Sequence, residues 1–200
     1  MLALVDYGAG NLASVERALA RLGADTRRVT VPEQLEGARA IVLPGVGHFA
    51  AMMRVLAARG LQEPIRLAVA NGVPLLGICL GLQTLYAGSE EAPECTGLGL
   101  FSGTVRELPR TVKLPHMGWN QIRPVRPSRL LRGIAEAAWF YFAHAYAALD
   151  EGPHVCAVCE HGARFAAVVE QDHVMAVQFH PEKSGAAGLQ VLRNFLEAIR

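Results

Sequence analysis

The amino-acid sequence predicts an α/β protein with a central mixed, mostly parallel sheet, flanking helices and additional antiparallel strands. Three observations favour this fold class. Strand and helix patterns alternate in the first half of the chain, strand patterns with short turns follow one another in the second half, and residues 73–78 form a near-continuous apolar run. Such alternation is typical of a parallel sheet, and a strand covered on both faces is apolar throughout.

The first half of the chain is expected to form the parallel part of the sheet. After a strand over residues 2–6, Asn11 can cap a helix, because apolar residues recur at helical spacing from Leu12 to Leu22 and Gly23 can end it. The other predicted elements are strands over residues 26–31, 38–43 and 73–78, and helices over residues 49–58 and 64–70 and from Leu80.

The second half is expected to add short strands and one closing helix. The strand patterns cover residues 100–108, 120–124, 138–146, 154–160, 164–170 and 174–179, and the helix covers residues 188–199. No repeat, low-complexity segment or long linker interrupts the 200 residues, so a single domain over residues 1–200 is predicted. A chain of this length buries roughly 70% of its unfolded surface without needing disulfides.

Composition and charge exclude several classes of partner. The chain is 52% apolar and 18% charged, and its formal net charge is +1 without a basic block or acidic tail. This balance argues against nucleic acid or an anionic membrane as a main partner. No apolar run reaches the roughly 18 residues of a membrane helix. The first residues lack a basic leader and read as a strand, which predicts no signal peptide and a cytoplasmic protein.

The four cysteines are too few to form a disulfide scaffold. Cys156 and Cys159 form a Cys-x-x-Cys motif between His154 and His161, which raises the alternative of a zinc or redox site. The segment reads as a strand, in which residues three apart point to opposite faces, and no turn or second ligand pair accompanies it. We interpret the motif as small apolar residues in a sheet and predict no metal site.

The most specific motif is Gly-Ile-Cys-Leu-Gly at residues 77–81, where a buried strand turns into a helix. The pattern is that of a nucleophile elbow with Cys79 in the place of serine. Glycines permit the sharp turn, and the start of a helix favours the nucleophilic thiolate over the thiol. A buried structural cysteine between packing glycines is the alternative. The motif predicts that Cys79 is a nucleophile.

A histidine and a glutamate, His180 and Glu182, follow the apolar strand at residues 174–179. A cysteine nucleophile needs a base, and the base needs an orienting group. Pro181 restrains the backbone, and residues two apart in an extended stretch share a face, so Glu182 can reach the imidazole. A plain strand-to-loop turn is the alternative for this segment alone. Together with the elbow, it predicts a triad of Cys79, His180 and Glu182.

Another predicted strand ends in Pro-Gly-Val-Gly at residues 44–47, which is either a plain turn or a source of backbone N–H donors for an oxyanion. The candidate donors are the N–H groups of Gly45, Val46, Gly47 and Leu80. His48 is either an active-site neighbour or a helix-start residue. Gly-Ala-Gly at residues 8–10 lacks the third glycine of a dinucleotide site, and no nucleotide, flavin or other cofactor is predicted.

Gly-Ile-Cys-Leu-Gly-Leu-Gln at residues 77–83 with the downstream His-Pro-Glu resembles the class I, or triad, glutamine amidotransferases. More narrowly, the chain resembles the family of glutaminase subunits of imidazole glycerol phosphate synthase, from histidine biosynthesis. The narrower resemblance rests on Asp-Tyr-Gly-Ala-Gly-Asn-Leu at 6–12, Pro-Gly-Val-Gly at 44–47, Pro-His-Met-Gly-Trp-Asn at 115–120, Tyr-Phe-Ala-His-Ala-Tyr at 141–146 and His-Pro-Glu-Lys-Ser at 180–184. It implies a class I glutamine amidotransferase (flavodoxin-like) fold.

The resemblance implies that Cys79 forms a glutamyl thioester with L-glutamine, His180 acts as base and then acid, and Glu182 orients His180. The ammonia would pass to a (β/α)₈-barrel cyclase subunit that makes imidazole glycerol phosphate and an aminoimidazole carboxamide ribotide. The implied substrate-binding residues are Gln83, Glu91, His144 and Tyr146, with Glu90 adjacent to Glu91 as an alternative. The implied partner-interface residues are Asn11, Trp119, Tyr141 and Lys183.

Three alternatives are weighed against this interpretation. A glutaminase subunit serving anthranilate or pyridoxal phosphate synthesis would share the triad, but His-Met-Gly-Trp-Asn argues against it. A cysteine peptidase or chaperone-like hydrolase of the same fold would not need Gln83 or the His-Pro-Glu pairing. A non-catalytic binding module would not need an intact triad.

Overall fold

Strands and helices alternate through the first half of the chain, as the sequence predicts. A computed structural model describes residues 1–149 and 152–199. The elements of this half are β1 Leu2–Val5, α1 Leu12–Arg21, β2 Thr26–Val29, a 3-10 turn Pro32–Leu35, β3 Ala40–Gly45, α2 Phe49–Ala58, α3 Gln62–Ala70, β4 Leu75–Cys79 and α4 Leu80–Gln83.

The second half consists mainly of strands and ends in a helix. Its elements are β5 Tyr86–Ser89, β6 Phe101–Glu107, β7 His116–Gln121, β8 Arg123–Pro124, β9 Trp139–His144, β10 Tyr146–Ala147, β11 Val155–His161, β12 Ala163–Gln171, β13 Val174–Val177, a 3-10 turn Pro181–Lys183 and α5 Gly185–Ala198. The closing helix begins three residues earlier than predicted, directly after Ser184.

An eight-stranded sheet with the strand order β2-β1-β3-β4-β13-β12-β11-β8 forms the centre of the fold. The pairs from β2 to β13 are parallel, and those from β13 to β8 are antiparallel. The predicted fold class, a mostly parallel mixed sheet extended by antiparallel strands, is therefore confirmed. Two smaller sheets, β10-β6-β5 and β7-β9, lie beside it.

The helices cover both faces of the central sheet. Alternate residues of β1 show the two layers, since Ala3 belongs to the apolar cluster that includes α2 and α3, and Leu4 belongs to the cluster that includes α1 and α5. Fully burying one Val, Leu, Ile, Phe or Met side chain contributes roughly 1.5–3 kcal/mol, and both layers contain many of them, so they supply most of the driving force for folding. Among the described helices, none is long and apolar enough to cross a membrane.

Three adjacent parallel strands bring the predicted site residues to one edge of the sheet. Gly45 at the end of β3 pairs with Cys79 at the end of β4, and β13 pairs with the other side of β4 before the chain continues to His180. Because the carboxyl ends of parallel strands meet at the same edge, motifs far apart in sequence meet in space. The sheet topology thus assembles the site.

Three details of the predicted strand pattern are wrong. Residues 120–124, predicted as one strand, hold the end of β7 and the whole of β8, and β7 already begins at His116. Residues 138–146, predicted as one strand, divide into β9 and β10, which pair with different strands in different small sheets. The short strand β5, which has no strong alternating pattern, was not predicted. Asn11 does precede α1, but its side chain accepts a hydrogen bond from Ser14 Oγ (2.7 Å) and does not cap a backbone N–H group.

Cys156 and Cys159 were predicted to point to opposite faces of a strand, and this prediction is also wrong. The pairing of β11 with β12 shifts register on both sides of Ala157, and this bulge turns both cysteines into the same apolar layer. Their interpretation as packed residues still fits the structure. Burial raises the pKa of Cys159 to about 12, and no group of three or more His, Cys, Asp or Glu side chains in the described ranges could hold a metal ion. The expected absence of a metal stays a prediction.

Candidate active site

The turn at Cys79 has the strained geometry expected of a nucleophile elbow. Its φ is 54° and its ψ is −110°, in a region that residues other than glycine rarely adopt. Strain of this kind costs on the order of 1–3 kcal/mol and persists only where the surroundings enforce it. Cys79 lies between the buried strand β4 and the single turn of α4, and its side chain faces the carboxyl edge of the sheet. The elbow therefore projects the thiol toward the other predicted site residues.

Close backbone packing explains the glycines around the elbow. A Cβ atom added at Gly81 would overlap the carbonyl oxygen of Leu43, and one added at Gly45 would lie 2.8 Å from the backbone nitrogen of Gly81. The ends of β3 and α4 thus meet backbone to backbone, with no room for side chains between them. These glycines hold the predicted oxyanion strand against the elbow.

His180 Nδ1 donates a hydrogen bond to the carboxylate of Glu182, with 2.9 Å between Nδ1 and Oε1. The two side chains are 3% and 1% exposed, so solvent does not compete for this bond. The contact forms across the 3-10 turn Pro181–Lys183, not within an extended stretch as the sequence argument assumed. Because Nδ1 is held by the carboxylate, Nε2 is the nitrogen left to serve Cys79.

The charge state of His180 follows from its neighbours. Burial alone would lower its pKa, but the attraction and hydrogen bonds of Cys79 and Glu182 outweigh burial and raise the pKa of His180 to about 10. At neutral pH His180 is therefore an imidazolium beside the Cys79 sulfur. A cysteine next to a histidine of this kind has the nucleophile and the acid that acyl transfer requires.

A cavity of about 70 Å³ opens beside Cys79. Its lining brings together residues from several predicted groups, namely Val46, Gly47, Cys79, Leu80, Gln83, Glu91, Ala143, His144, Ala145 and Tyr146. Glu91 lines this cavity, whereas Glu90 turns away and accepts a hydrogen bond from the backbone of Glu107. All four predicted substrate-binding residues thus border one space next to the nucleophile.

The side chain of Glu91 is held by the start of the neighbouring helix. Its Oε2 atom accepts a hydrogen bond of 2.7 Å from the backbone N–H of Phe49, the first residue of α2. His48 is the N-cap of the same helix and accepts a hydrogen bond from Ala50 through Nδ1. His48 is therefore a helix-start residue, which was one of the two interpretations left open.

The predicted oxyanion strand is restrained by a tyrosine that the sequence analysis did not single out. Tyr7 Oη accepts a hydrogen bond from the Val46 N–H (2.8 Å) and donates one to the Val46 carbonyl oxygen (2.6 Å). The N–H of Val46 is thus already engaged by the hydroxyl group. Of the predicted oxyanion donors, this one is not free to bind another group in the present conformation.

The buried His144 lines the cavity, and a chain of hydrogen bonds connects it with a second buried histidine, His116. His144 Nδ1 donates to the Tyr146 carbonyl (2.9 Å), so its Nε2 accepts from His116 Nδ1 (3.2 Å), and His116 Nε2 accepts from Asn120 (3.3 Å). A carbonyl can only accept, so these bonds fix both tautomers. Burial lowers the pKa of His116 to about 4 and that of His144 to about 3, so both rings are neutral.

The two depressed pKa values predict acid destabilisation. Between about pH 6.5, the usual pKa of an unfolded histidine, and about pH 4, the unfolded chain binds protons at these rings and the folded chain does not. The two neutral histidines therefore contribute to the free energy of unfolding above that pH range. As the pH falls through it, the free energy of unfolding decreases by up to about 1.4 kcal/mol per pH unit for each histidine. Urea unfolding at several pH values measures this slope.

His116→Gln is the matched variant, because an amide can donate to His144 and accept from Asn120 without titrating. We expect it to reduce the slope by about one proton between pH 4.5 and pH 6. An unchanged slope in a folded variant would show that His116 does not bind a proton on unfolding in this range.

Three of the four predicted interface residues form one patch. Trp119 is 53% exposed and packs edge-on against Tyr141, with 6.1 Å between ring centroids, and Lys183 Nζ lies 5.6 Å from the Tyr141 centroid. The backbone of Tyr141 accepts a hydrogen bond from the backbone N–H of His180 (2.8 Å). Asn11 is exposed and lines a small cavity together with His180 and Glu182. One backbone hydrogen bond therefore connects the patch with His180, the predicted catalytic histidine.

Known proteins are similar to this chain over nearly its whole length. The model of the family "Glutamine amidotransferase class-I" matches residues 3–199. The chain is 48% identical to imidazole glycerol phosphate synthase subunit HisH of Methanothermobacter thermautotrophicus, with all of both chains covered. It is 47% identical to the subunit of the same name from Moorella thermoacetica, covering 100% of this chain and 95% of that one.

Solved structures share the fold. A crystal structure of a glutamine amidotransferase superposes with a TM-score of 0.79 at 24% identity, over 98% of both chains. The structure of PurLQS from Thermotoga maritima superposes with a TM-score of 0.79 at 19% identity, over 100% of this chain and 98% of that one. The chain therefore belongs to the class I glutamine amidotransferases and, within them, to the family of imidazole glycerol phosphate synthase subunit HisH.

Proposed function

We propose that this chain is the glutaminase subunit of imidazole glycerol phosphate synthase and supplies ammonia for histidine biosynthesis. The observation that carries the proposal is the strained elbow at Cys79, with the buried His180–Glu182 pair beside it and Gln83 and Glu91 around the adjoining cavity. Residues 1–200 act as one glutamine amidotransferase type 1 domain, in the cytoplasm, without a metal or organic cofactor.

The proposed reaction begins with attack of the Cys79 thiolate on the carboxamide carbon of L-glutamine. The developing oxyanion is stabilised by backbone N–H groups at the Gly45–Gly47 strand end and at Leu80. His180 gives its proton to the leaving nitrogen, the carbon–nitrogen bond breaks, and ammonia departs from a glutamyl thioester. This order suits a histidine whose pKa is raised to about 10, because the imidazolium is already present as the acid.

Water then cleaves the thioester. His180, now neutral, takes a proton from the attacking water while Glu182 stabilises the imidazolium that forms. The carbon–sulfur bond breaks, glutamate leaves, and the imidazolium–thiolate pair is restored. Glu91 supplies a negative charge at the cavity, which suits the α-ammonium group of the substrate, while Gln83, His144 and Tyr146 shape the remaining wall.

The acceptor of the ammonia is a (β/α)₈-barrel cyclase subunit, which forms a heterodimer with this chain. It uses the ammonia to make imidazole glycerol phosphate and an aminoimidazole carboxamide ribotide. We place the contact at Trp119, Tyr141 and Lys183, with Asn11 at its margin. Aromatic residues are enriched at positions that contribute most of the binding energy of an interface, and the exposed Trp119 ring packed on the half-buried Tyr141 ring fits such a contact.

The isolated chain is expected to be a poor glutaminase that the cyclase subunit activates. The hydroxyl of Tyr7 engages the Val46 N–H, so that donor serves an oxyanion only after the strand end reorients. Losing one oxyanion donor typically costs about 10²- to 10³-fold in rate, and activation of at least that order is expected. The measurement is glutamate production by the chain alone, with the cyclase subunit, and with the subunit plus its ligand.

Tyr7→Phe tests whether the hydrogen bond of Tyr7 to Val46 keeps the isolated chain inactive in the absence of the cyclase subunit. We expect it to raise the rate of the isolated chain and to reduce the activation ratio, because Val46 loses its hydroxyl partner. Tyr86→Phe is the matched control, since it removes the hydroxyl of another buried tyrosine, which contacts His154. Equal rates of glutamate production by the chain alone, with the cyclase subunit, and with the subunit plus its ligand would contradict activation by the partner. A Tyr7→Phe chain that is no faster than wild type in isolation would contradict the role of Tyr7.

A further inference from the structure

Gln178 is a fully buried polar residue that the proposed mechanism does not yet use. It follows β13, is 0% exposed, and precedes His180 by two residues. Its neighbour Val177 pairs with Ile78, which places Gln178 beside Cys79 at the carboxyl edge of the sheet. The Nε2 atom of Gln178 lies 3.6 Å from Cys79 Sγ, within hydrogen-bond range for sulfur.

The orientation of the Gln178 amide can be deduced from a backbone carbonyl. Gln83 Nε2 lies 2.8 Å from the carbonyl oxygen of Tyr146, which can only accept, so the Gln83 amino group must face it. The same Nε2 atom lies 3.2 Å from Gln178 Oε1 and donates its second hydrogen there. The oxygen of Gln178 is thereby fixed toward Gln83, which leaves the Gln178 amino group directed at the sulfur.

We propose that Gln178 is a further catalytic residue, whose amide N–H donates to the Cys79 sulfur while its oxygen locks the Gln83 side chain. The inference rests on the proposed function, which it deepens by adding a second donor at the nucleophile. Gln178 and His180 reach the sulfur from the same stretch of chain, and both favour the thiolate over the thiol. A thiolate with two fixed donors is also held in one position for attack.

The same bonds connect the nucleophile with the wall of the cavity. Gln83 uses both amino hydrogens on Tyr146 and Gln178, so only its carbonyl oxygen remains to meet a ligand. Removing the acceptor on Gln178 would release the Gln83 amide to rotate. Gln178 is thus expected to affect both the reactivity of Cys79 and the pocket in which glutamine binds.

Two variants separate these effects. Gln178→Glu keeps the size of the side chain and an acceptor for Gln83 but removes the donor to sulfur, whereas Gln178→Met removes donor and acceptor together. Gln171→Glu makes the same chemical change at an exposed position on β12 and is the matched control. Folding of each variant is followed by urea unfolding.

The first readout is the rate of Cys79 alkylation by iodoacetamide as a function of pH, with the Cys79 peptide followed by mass spectrometry. It reports on the thiolate without requiring glutamine, so it remains informative if the proposed function fails. We expect both Gln178 variants to move the midpoint to higher pH and Gln171→Glu to leave it in place. A purely structural role would change stability without moving this profile.

The second readout is glutamine hydrolysis in the complex with the cyclase subunit. We expect kcat to fall about 10- to 100-fold in both variants, as for the loss of a hydrogen bond to a charged group. KM should rise more in Gln178→Met than in Gln178→Glu, because only the former frees Gln83. If at least one folded Gln178 variant keeps the wild-type alkylation profile and a kcat within twofold of wild type, the proposal is overturned.

Discussion

Cys79→Ala is expected to abolish glutamine hydrolysis while leaving the fold intact. Without the sulfur no thioester forms, and the remaining donors cannot replace a covalent step, so the loss should exceed the roughly 10²- to 10⁴-fold attributable to acid–base catalysis alone. The substitution also places alanine at a φ of 54°, which is no worse for alanine than for cysteine. Glutamate release in the complex with the cyclase subunit is the measurement.

Added ammonium salt provides the internal control for this variant. Cyclase turnover with ammonium should survive in the Cys79→Ala complex, because ammonia production is then bypassed. Cys156→Ala combined with Cys159→Ala should be nearly silent, since both cysteines are packed on β11, which β13 and β12 separate from β4 and its elbow. Glutamine-dependent turnover by Cys79→Ala, or loss of turnover in the double variant with its fold retained, would contradict the assignment.

His180→Ala is expected to lose far more activity than Glu182→Gln. In the proposed mechanism His180 transfers the protons in both steps, so its removal should reduce the rate by at least about 10²- to 10⁴-fold. Glu182 acts through His180, and a glutamine at that position can still accept from Nδ1, although the charge that helps to raise the pKa of His180 is gone. We expect a loss of about tenfold, the difference between a charged and a neutral acceptor.

The pH profile distinguishes these two roles further. In Glu182→Gln the pKa of His180 should fall from about 10. The decrease in rate at high pH, where the imidazolium loses its proton, should therefore begin at a lower pH than in the wild type. Single-turnover rates on folded protein over pH 6–10 measure it. An intact rate in His180→Ala, or a greater loss in Glu182→Gln, would reverse the roles assigned here.

The sequence predicts the position of the site because apolar runs and the motifs after them indicate where the strands end. The elbow at residues 77–81 and the apolar run before it identify the end of a central strand, and the strand before His180 identifies a second one. Since parallel strands end at one edge, the meeting of Cys79, His180 and Gly45 follows from the fold class alone. The structure adds the strained φ at Cys79 and the distances.

Features that depend on local register could not be predicted. The bulge at Ala157 places Cys156 and Cys159 in the same apolar layer, and no residue type marks this bulge in the sequence. The bond between Tyr7 and Val46 joins residues 39 positions apart, so no spacing indicates it. The sequence could have indicated Gln178, because it lies two residues before His180 at the end of an apolar run, where a buried polar side chain needs a hydrogen-bond partner.

The most direct test of the account is identification of the residue that a chloroketone analogue of glutamine modifies. Such a compound is recognised as glutamine and alkylates the attacking nucleophile. The account predicts one adduct per chain, located on Cys79 by peptide mass spectrometry, with loss of glutaminase activity in proportion to labelling and protection by glutamine. Modification of any other residue, or full activity in chains labelled at Cys79, would contradict it.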